Sequence, residues 1–384
     1  MSTDVLERLA RNAVHVLPAD GLVEKLRLGR PLRVKLGIDV TSPDIHVGRA
    51  IPLQKMRAFQ DEGHLGVLIV GDYTTRIGDP SGRSAERPVL SGEEIDRNAR
   101  TYVDQAMVVL DPDRTEVRYN GEWLAGLDFA EILRLTRTTT VSQILERDDF
   151  AKRYAAGHPI SVSELLYPLM QAYDSVAIEA DVELGGTDQL YNLLAGRTVM
   201  EAYGLEPQVV LTTPLLVSWD GAKMSSSVGN NIPLTAPPEE QFGRTMRIPD
   251  ELLGDWWRLV AGRDVPEVDP MEAKLELARF IVRRSHGDEA ARAAEAHFTR
   301  VVREGAAPED VPEVALPDGD PVHLPALIAS GFGLSTSEAR RMIAQGGVRI
   351  DGSVVHELDL SREALDGTLL QVGKRRFARL GGRS

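Results

Sequence analysis

Val34-Lys-Leu-Gly-Ile-Asp-Val-Thr-Ser-Pro-Asp-Ile-His-Val-Gly-Arg49 passes from an apolar run through a turn toward a helix. Val34 to Asp39 is short and rich in branched apolar side chains, the pattern of a strand buried on both faces of a parallel sheet. Val67-Leu-Ile-Val70 repeats the pattern, and Leu53 to Asp61 between the two reads as a helix. Pro52 belongs in a first turn or at a kink. Ser91 and Glu94 have capping-box spacing and open a second helix expected to reach about Leu110. Such alternation implies an open α/β sheet, whose ligands bind beyond the carboxyl ends of the strands.

The turn after the first strand carries chemistry. Gly48 permits close approach of a ligand, and the helix start offers free N–H groups to an anion. His46 and Arg49 are three residues apart, so both can face one phosphate. Much later, Asp220-Gly-Ala-Lys-Met-Ser-Ser-Ser227 reads as a flexible loop with one cation and three hydroxyls, from which Lys223 could reach a phosphate. The generic alternatives are missing from the sequence. There is no Gly-x-Gly-x-x-Gly after a strand, no Gly-x-x-x-x-Gly-Lys-Ser/Thr loop, no Gly-x-Ser-x-Gly elbow and no His-x-x-x-His pair.

Further along, Pro237 to Arg303 loses the strand signal, and Pro270 to Ser285 and Asp288 to Arg303 have helical spacing. Glu304 to Pro325 holds prolines at 308, 312, 317, 321 and 325 and reads as an extended linker. Ser335-Thr-Ser-Glu338 opens another helix, and Val348 to Val355 reads as a hairpin about Asp351-Gly352. The expected division is an N-terminal helical segment (1–30), an α/β domain (31–235), a helical domain (236–303), a linker (304–321) and a small α+β domain (322–384).

The 384 residues contain no cysteine, which excludes disulfides, thiolate metal sites and cysteine nucleophiles. No stretch approaches the roughly 18 consecutive apolar residues of a membrane span, and the N-terminus lacks a secretory pattern, so a cytoplasmic protein is expected. The formal charge is −14. From Val322 onward nine Lys and Arg face six Asp and Glu, a local +3, so a basic patch can sit on an acidic chain.

Taken together, the His46–Arg49 and Lys223–Ser227 segments resemble the two signatures of class I aminoacyl-tRNA synthetases. Leu36 to His46, Ile77-Gly-Asp-Pro-Ser-Gly-Arg-Ser84, Leu166-Tyr-Pro-Leu-Met-Gln-Ala-Tyr-Asp174 and Gly185-Gly-Thr-Asp-Gln189 resemble bacterial tyrosyl-tRNA synthetases, most of all those with a short S4-like tail. The resemblance runs from about Leu22 to the C-terminus. It implies a Rossmann-type parallel-sheet catalytic domain with an insertion, a helical anticodon-binding domain, an S4-like RNA-binding domain and a homodimer. It also implies ATP, Mg²⁺ on pyrophosphate, L-tyrosine and tRNA(Tyr) as ligands.

Residue by residue, the resemblance puts Asp79, Tyr167 and Gln171 on the substrate ammonium, Asp174 on the tyrosine hydroxyl and Gln189 on the substrate. Tyr167, Gln171 and Asp174 fall on one helix face after a Ser161/Glu164 capping box. Asp39, Thr41, Gly48, Gly186, Asp188, Lys223 and Met224 would bind ATP. His46, Arg49, Lys223, Ser225, Ser226 and Ser227 would act in catalysis, and Arg340, Arg341, Lys374, Arg375 and Arg376 would bind RNA. Two positions depart from the family pattern: Arg49 stands where the first signature usually has histidine, and Ser226 where the second usually has lysine. Arg49 is expected to compensate for that missing cation. The departures also admit a paralogue of altered amino-acid or acceptor specificity, and the basic tail admits a non-catalytic RNA-binding derivative.

Overall fold

The computed structural model describes residues 3–81, 90–226, 228–303, 311–373 and 376–381. The chain divides into two compact units, Met1–Pro237 with Arg244–Ser285, and Pro238–Gly243 with His286–Ser384.

The first unit is built on a six-stranded sheet. Its strands are β1 (His15–Leu17), β2 (Arg33–Ile38), β3 (Leu65–Val70), β4 (Thr115–Tyr119), β5 (Val182–Gly186) and β6 (Val209–Thr213). The order is β1-β6-β5-β2-β3-β4, with β2 to β6 parallel and β1 antiparallel to β6. The N-terminal segment expected to be helical therefore contributes an edge strand as well. Its three residues are too few to show a period, and backbone pairing with Val210, Leu211 and Thr212 defines it.

Helix α1 (Val47–Asp61) follows β2 and starts six residues before the expected Leu53. The reason is a side-chain cap: His46 Nδ1 accepts the Arg49 backbone N–H at 3.2 Å. Pro52 is consequently inside the helix and leaves the Gly48 carbonyl without its intrahelical donor. Helix α2 (Gly92–Ala106) starts at the Ser91/Glu94 capping box and ends four residues before Leu110. Short helices fill the insertion between β4 and β5, which closes with α3 (Val162–Ile178), capped reciprocally by Ser161 and Glu164. Helix α4 (Leu190–Ala202) joins β5 to β6.

Residues 248–281 share a core with the site-bearing part of this unit. Ile248, Trp256, Trp257, Leu277 and Ile281 pack with Val47 and Ile51 of α1 and with Leu216 and Met224 of the late loop. Helix α5 (Pro270–Phe298) leaves helical dihedrals at Gly287 (φ 87°, ψ 174°), a backbone state suited to glycine, where the sequence separates two helices.

The second unit carries β7 (Glu313–Ala315), β8 (Val322–His323), α6 (Leu324–Phe332), α7 (Thr336–Ala344), β9 (Val348–Ile350), β10 (Ser353–Val354), β11 (Asp359–Leu360), β12 (Leu369–Val372) and β13 (Arg376–Gly381). A five-stranded sheet has the order β10-β9-β12-β13-β7, and β11 pairs with β8. Residues 313–315, expected as linker, instead form an edge strand parallel to β13, with Leu316 buried in this unit's core. Proline exclusion from helices leaves extended chain free to pair at a sheet edge. The expected hairpin is present, with Asp351 and Gly352 both at positive φ in its two-residue turn.

Candidate active site

The strand order reverses between the parallel neighbours β2 and β5: β3 and β4 extend the sheet on one side, β6 and β1 on the other. At such a switch point the chains leaving adjacent strands diverge and open a crevice. A cavity of about 680 Å³ lies there, lined by Gly37 to Asp39 at the end of β2, Gly185 and Gly186 of β5, and the start of α1.

At one end of the cavity is Asp174 on α3, only 3% exposed. Trp123 Nε1 donates to its Oδ1 at 2.8 Å and Asn120 Nδ2 to its Oδ2 at 3.4 Å. Burial pushes this carboxyl up to about 7, against the opposing pull of Lys35 and these two donors. One and two turns away on the same helix, Gln171 and Tyr167 also line the cavity. Tyr167 donates its hydroxyl to Asp39 Oδ2 at 3.1 Å, and Gln171 Nε2 donates to Glu183 Oε1 at 3.2 Å. Asp39 further accepts from Thr74 Oγ1 at 2.8 Å and from the Asp79 backbone N–H at 3.2 Å. Gln189 Nε2 donates to Asp79 Oδ2 at 2.7 Å, which brings these two expected partners into direct contact.

Behind this wall sits a buried ion pair that the sequence pattern concealed. Lys35 Nζ lies 2.9 Å from Glu183 Oε1, both nearly inaccessible. The ammonium has three donors, and the other two go to the Gln171 carbonyl and Ser175 Oγ, each at 2.7 Å. Glu183 also accepts from Ser175 and Gln208. One lysine thus pins α3 against β2 and β5. A lysine within an apolar run signals such a partner only once the neighbouring strand is known. Trp123 and Asn120, in the insertion, were likewise not identified from the sequence.

The other end of the cavity is cationic. His46 is 5% exposed, and burial, reinforced by Arg49 and Lys223, lowers its imidazole to about 3. It is therefore neutral at ordinary pH. Because Nδ1 accepts the Arg49 N–H, the ring's proton resides on Nε2, leaving that nitrogen as a donor. A Cβ on Gly48 would stand 3.2 Å from the His46 ring, so glycine here makes room for the folded-back imidazole. Arg49 Nη1 donates to Ser42 Oγ at 3.1 Å, and its side chain also bonds the buried Tyr102 hydroxyl. Thr41 lines the same end.

The late loop is more ordered than its composition suggests. Met224 is buried against the tryptophan cluster and its N–H donates to the Leu216 carbonyl at 2.9 Å. Asn230 accepts the Ser225 N–H at 2.8 Å and donates to Asp220, while Asn231 donates to Ser226 Oγ at 3.2 Å. The segment read from the sequence as flexible is instead held at its described main chain by these bonds, while the Lys223 side chain is 55% exposed. Lys223 Nζ lies 2.6 Å from Asp188 Oδ2, just beyond Gly186. Every expected tyrosine, ATP and catalytic residue except Ser227, which lies outside the described residues, lines this cavity.

The expected RNA contacts lie in the second unit. Arg340 and Arg341 are exposed on α7, Arg376 is exposed on β13, and Lys374 and Arg375 lie outside the described residues. Arg340 donates to His323 Nε2 at 3.2 Å, and His323 Nδ1 faces Asp359 at 2.7 Å.

Residues 27–303 match the family of class I tRNA synthetases for tryptophan and tyrosine, and residues 324–358 match the S4 domain. The tyrosine–tRNA ligase of Thermotoga maritima is 47% identical to 97% of this chain, over 96% of its own length. That of Haemophilus influenzae is 45% identical over 98% of this chain and 96% of its own. Among solved structures, the tyrosyl-tRNA synthetase of Archaeoglobus fulgidus complexed with L-tyrosine superposes with a TM-score of 0.61 at 22% identity, covering 76% of this chain and 99% of that one. At that identity the likeness is one of fold.

Proposed function

The chain belongs to the class I tRNA synthetases for tryptophan and tyrosine, and from this premise we infer that it is a tyrosine–tRNA ligase, which activates L-tyrosine with ATP and transfers it to the 3′ end of tRNA(Tyr). The observation that carries the choice of amino acid is buried Asp174, held by Trp123 and Asn120 at the end of the cavity. A phenolic hydroxyl donating to it would be satisfied, whereas phenylalanine would leave it unpaired, a discrimination for which tyrosyl-tRNA synthetases are the standard worked case. Asp79, Tyr167, Gln171 and Gln189 take the amino-acid end of the substrate.

ATP occupies the other end, along Asp39, Thr41, Gly48, Gly186 and Met224, with its ribose hydroxyls on Asp188. As ribose takes Asp188, Lys223 exchanges that carboxylate for the phosphates. The tyrosine carboxylate attacks the α-phosphorus, a P–O bond forms, and the bond to the β-phosphate breaks in line to release pyrophosphate. The nucleophile is already an anion, so no general base is required; catalysis is positioning and charge stabilisation. His46 supplies an Nε2–H donor, Arg49 a permanent charge, and Lys223 with Ser225, Ser226 and Ser227 the loop donors. Arg49, braced by Ser42 and Tyr102, compensates for the absent lysine at position 226. Mg²⁺ would enter with the nucleotide: among the described residues no group of three or more His, Asp or Glu is arranged to hold a metal, so phosphate oxygens and water would be its ligands.

We further propose a homodimer, supported by exposed Phe129, Leu133, Val141, Tyr154 and Val162 in and beside the insertion. The S4-like domain, through Arg340, Arg341, Lys374, Arg375 and Arg376, grips tRNA backbone. No described helix is long and apolar enough to cross a membrane. The test is ATP–pyrophosphate exchange with tyrosine, phenylalanine and ring-substituted tyrosines, then tRNA charging. Exchange dependent on tyrosine, with charging, is the expected result. No exchange with any of them would overturn the enzyme reading, and exchange without charging would point to another acceptor.

A further inference from the structure

Arg147 lies in the insertion with its side chain 5% exposed, a buried cation that none of the steps above uses. Its Nε and Nη2 fork onto the Asp149 carboxylate at 3.1 and 2.8 Å. The guanidinium carbon stands 5.0 Å from the ring centres of both Phe150 and Tyr191. The remaining donors point toward the cavity wall: Nη1 to Asn192 Oδ1 at 3.0 Å and Nη2 to Ser81 Oγ at 2.9 Å.

A guanidinium can only donate, and this fixes the donor end of the amide chain beyond it. Since Asn192 Oδ1 faces Arg147, Asn192 Nδ2 must face inward, and it donates to Gln189 Oε1 at 3.0 Å. Gln189 then presents Nε2 to Asp79 Oδ2 at 2.7 Å. By a second route, Arg147 holds Ser81, whose backbone N–H donates to Asp79 Oδ1 at 2.9 Å. Both oxygens of Asp79 are thereby traced back to one arginine through two different segments of the chain. The two ends of the amide chain agree, since Arg147 can only donate and the Asp79 carboxylate only accept; without Arg147 the Asn192 Oδ1 at the donor end and Ser81 Oγ lose the guanidinium that holds them.

We propose that Arg147 is a positioning residue for the amino-acid end of the cavity, anchoring through Asn192 and Ser81 the hydrogen bonds that aim Asp79 at the substrate ammonium. This rests on the tyrosine reading above. It also makes the insertion, which supplies the donors to Asp174, the element that orients the pocket at both ends.

The test is calorimetric titration of the full chain with L-tyrosine and with 3-(4-hydroxyphenyl)propanoate, which lacks the amino group. Arg147→Met removes the donors, and Asn192→Asp puts an acceptor where Nδ2 donated while leaving Arg147 with Asp149. Each is expected to weaken tyrosine by about ten-fold or more and the des-amino acid by less than about two-fold. In exchange assays the KM for tyrosine rises while that for ATP stays unchanged. Should Arg147→Met fail to fold, Asn192→Asp carries the comparison. Equal weakening of both ligands, or of neither, overturns the proposal while the tyrosine reading stands. A wild-type chain that binds no tyrosine overturns both.

Discussion

Asp174 couples protonation of the cavity to the binding of tyrosine. Burial raises its carboxyl to about 7, well above the ordinary 3.8. A phenol that donates to the ionised form must first see that carboxyl lose its proton. Tyrosine affinity is therefore expected to fall as pH drops below about 7, by up to about ten-fold per pH unit. Because its value is raised, the neutral Asp174 carboxyl contributes stability to the fold that is fully present below the ordinary 3.8 and lost as pH rises through about 7. Titrations across this range should show the dependence, and Asp174→Asn should abolish it while weakening tyrosine at high pH. A slope that survives the substitution would assign it to another group. His46 contributes nothing in this window, since its imidazole is neutral down to about 3.

The elements that build the pocket are held by contacts that tolerate little added volume. Helix α4 approaches α3 and β5 at Gly196, where a Cβ would stand 2.5 Å from Gln208 Nε2, 3.2 Å from Glu183 Oε2 and 3.4 Å from Ser175 Oγ. These are the groups that satisfy the Lys35–Glu183 pair, so Gly196→Ala would either push the helices apart or break a buried bond. A loss of about 1–3 kcal/mol is expected in chemical denaturation, with a raised KM for tyrosine because Gln171 shares the same carboxylate. Unchanged stability would mean that α4 can shift at no cost. Local rules located these elements well. Ser91 and Ser161 begin their helices where the capping boxes place them. They failed at α1, because a histidine cap is outside the usual Ser, Thr, Asp and Asn set, and at β1 and β7, whose three residues pair through backbone that carries no side-chain pattern.

Formal charge is spread unevenly along the chain. The first 321 residues carry a formal −17 and the remainder +3, so an acidic total accommodates a local grip on phosphates. Replacing Arg340 and Arg341 together by alanine is expected to raise the KM for tRNA. It should also flatten the salt dependence of charging by about 0.7–0.9 per lost contact, in logarithmic slope. ATP–pyrophosphate exchange should be unaffected, since it involves no RNA. Equal loss of exchange and charging would instead make the pair structural.

The strands β2 and β3, the Ser91 and Ser161 caps and the motif residues lining the cavity were legible in the sequence, because each depends on neighbours within a few residues or on motifs read in order. What the tertiary structure alone decided is which polar groups meet. Lys35 with Glu183, Trp123 and Asn120 with Asp174, and Arg147 with Asn192 and Ser81 are separated along the chain by between 45 and 148 residues. Buried donors and acceptors must find partners, but which ones they find is set by strand order and helix packing, and no local pattern encodes that choice.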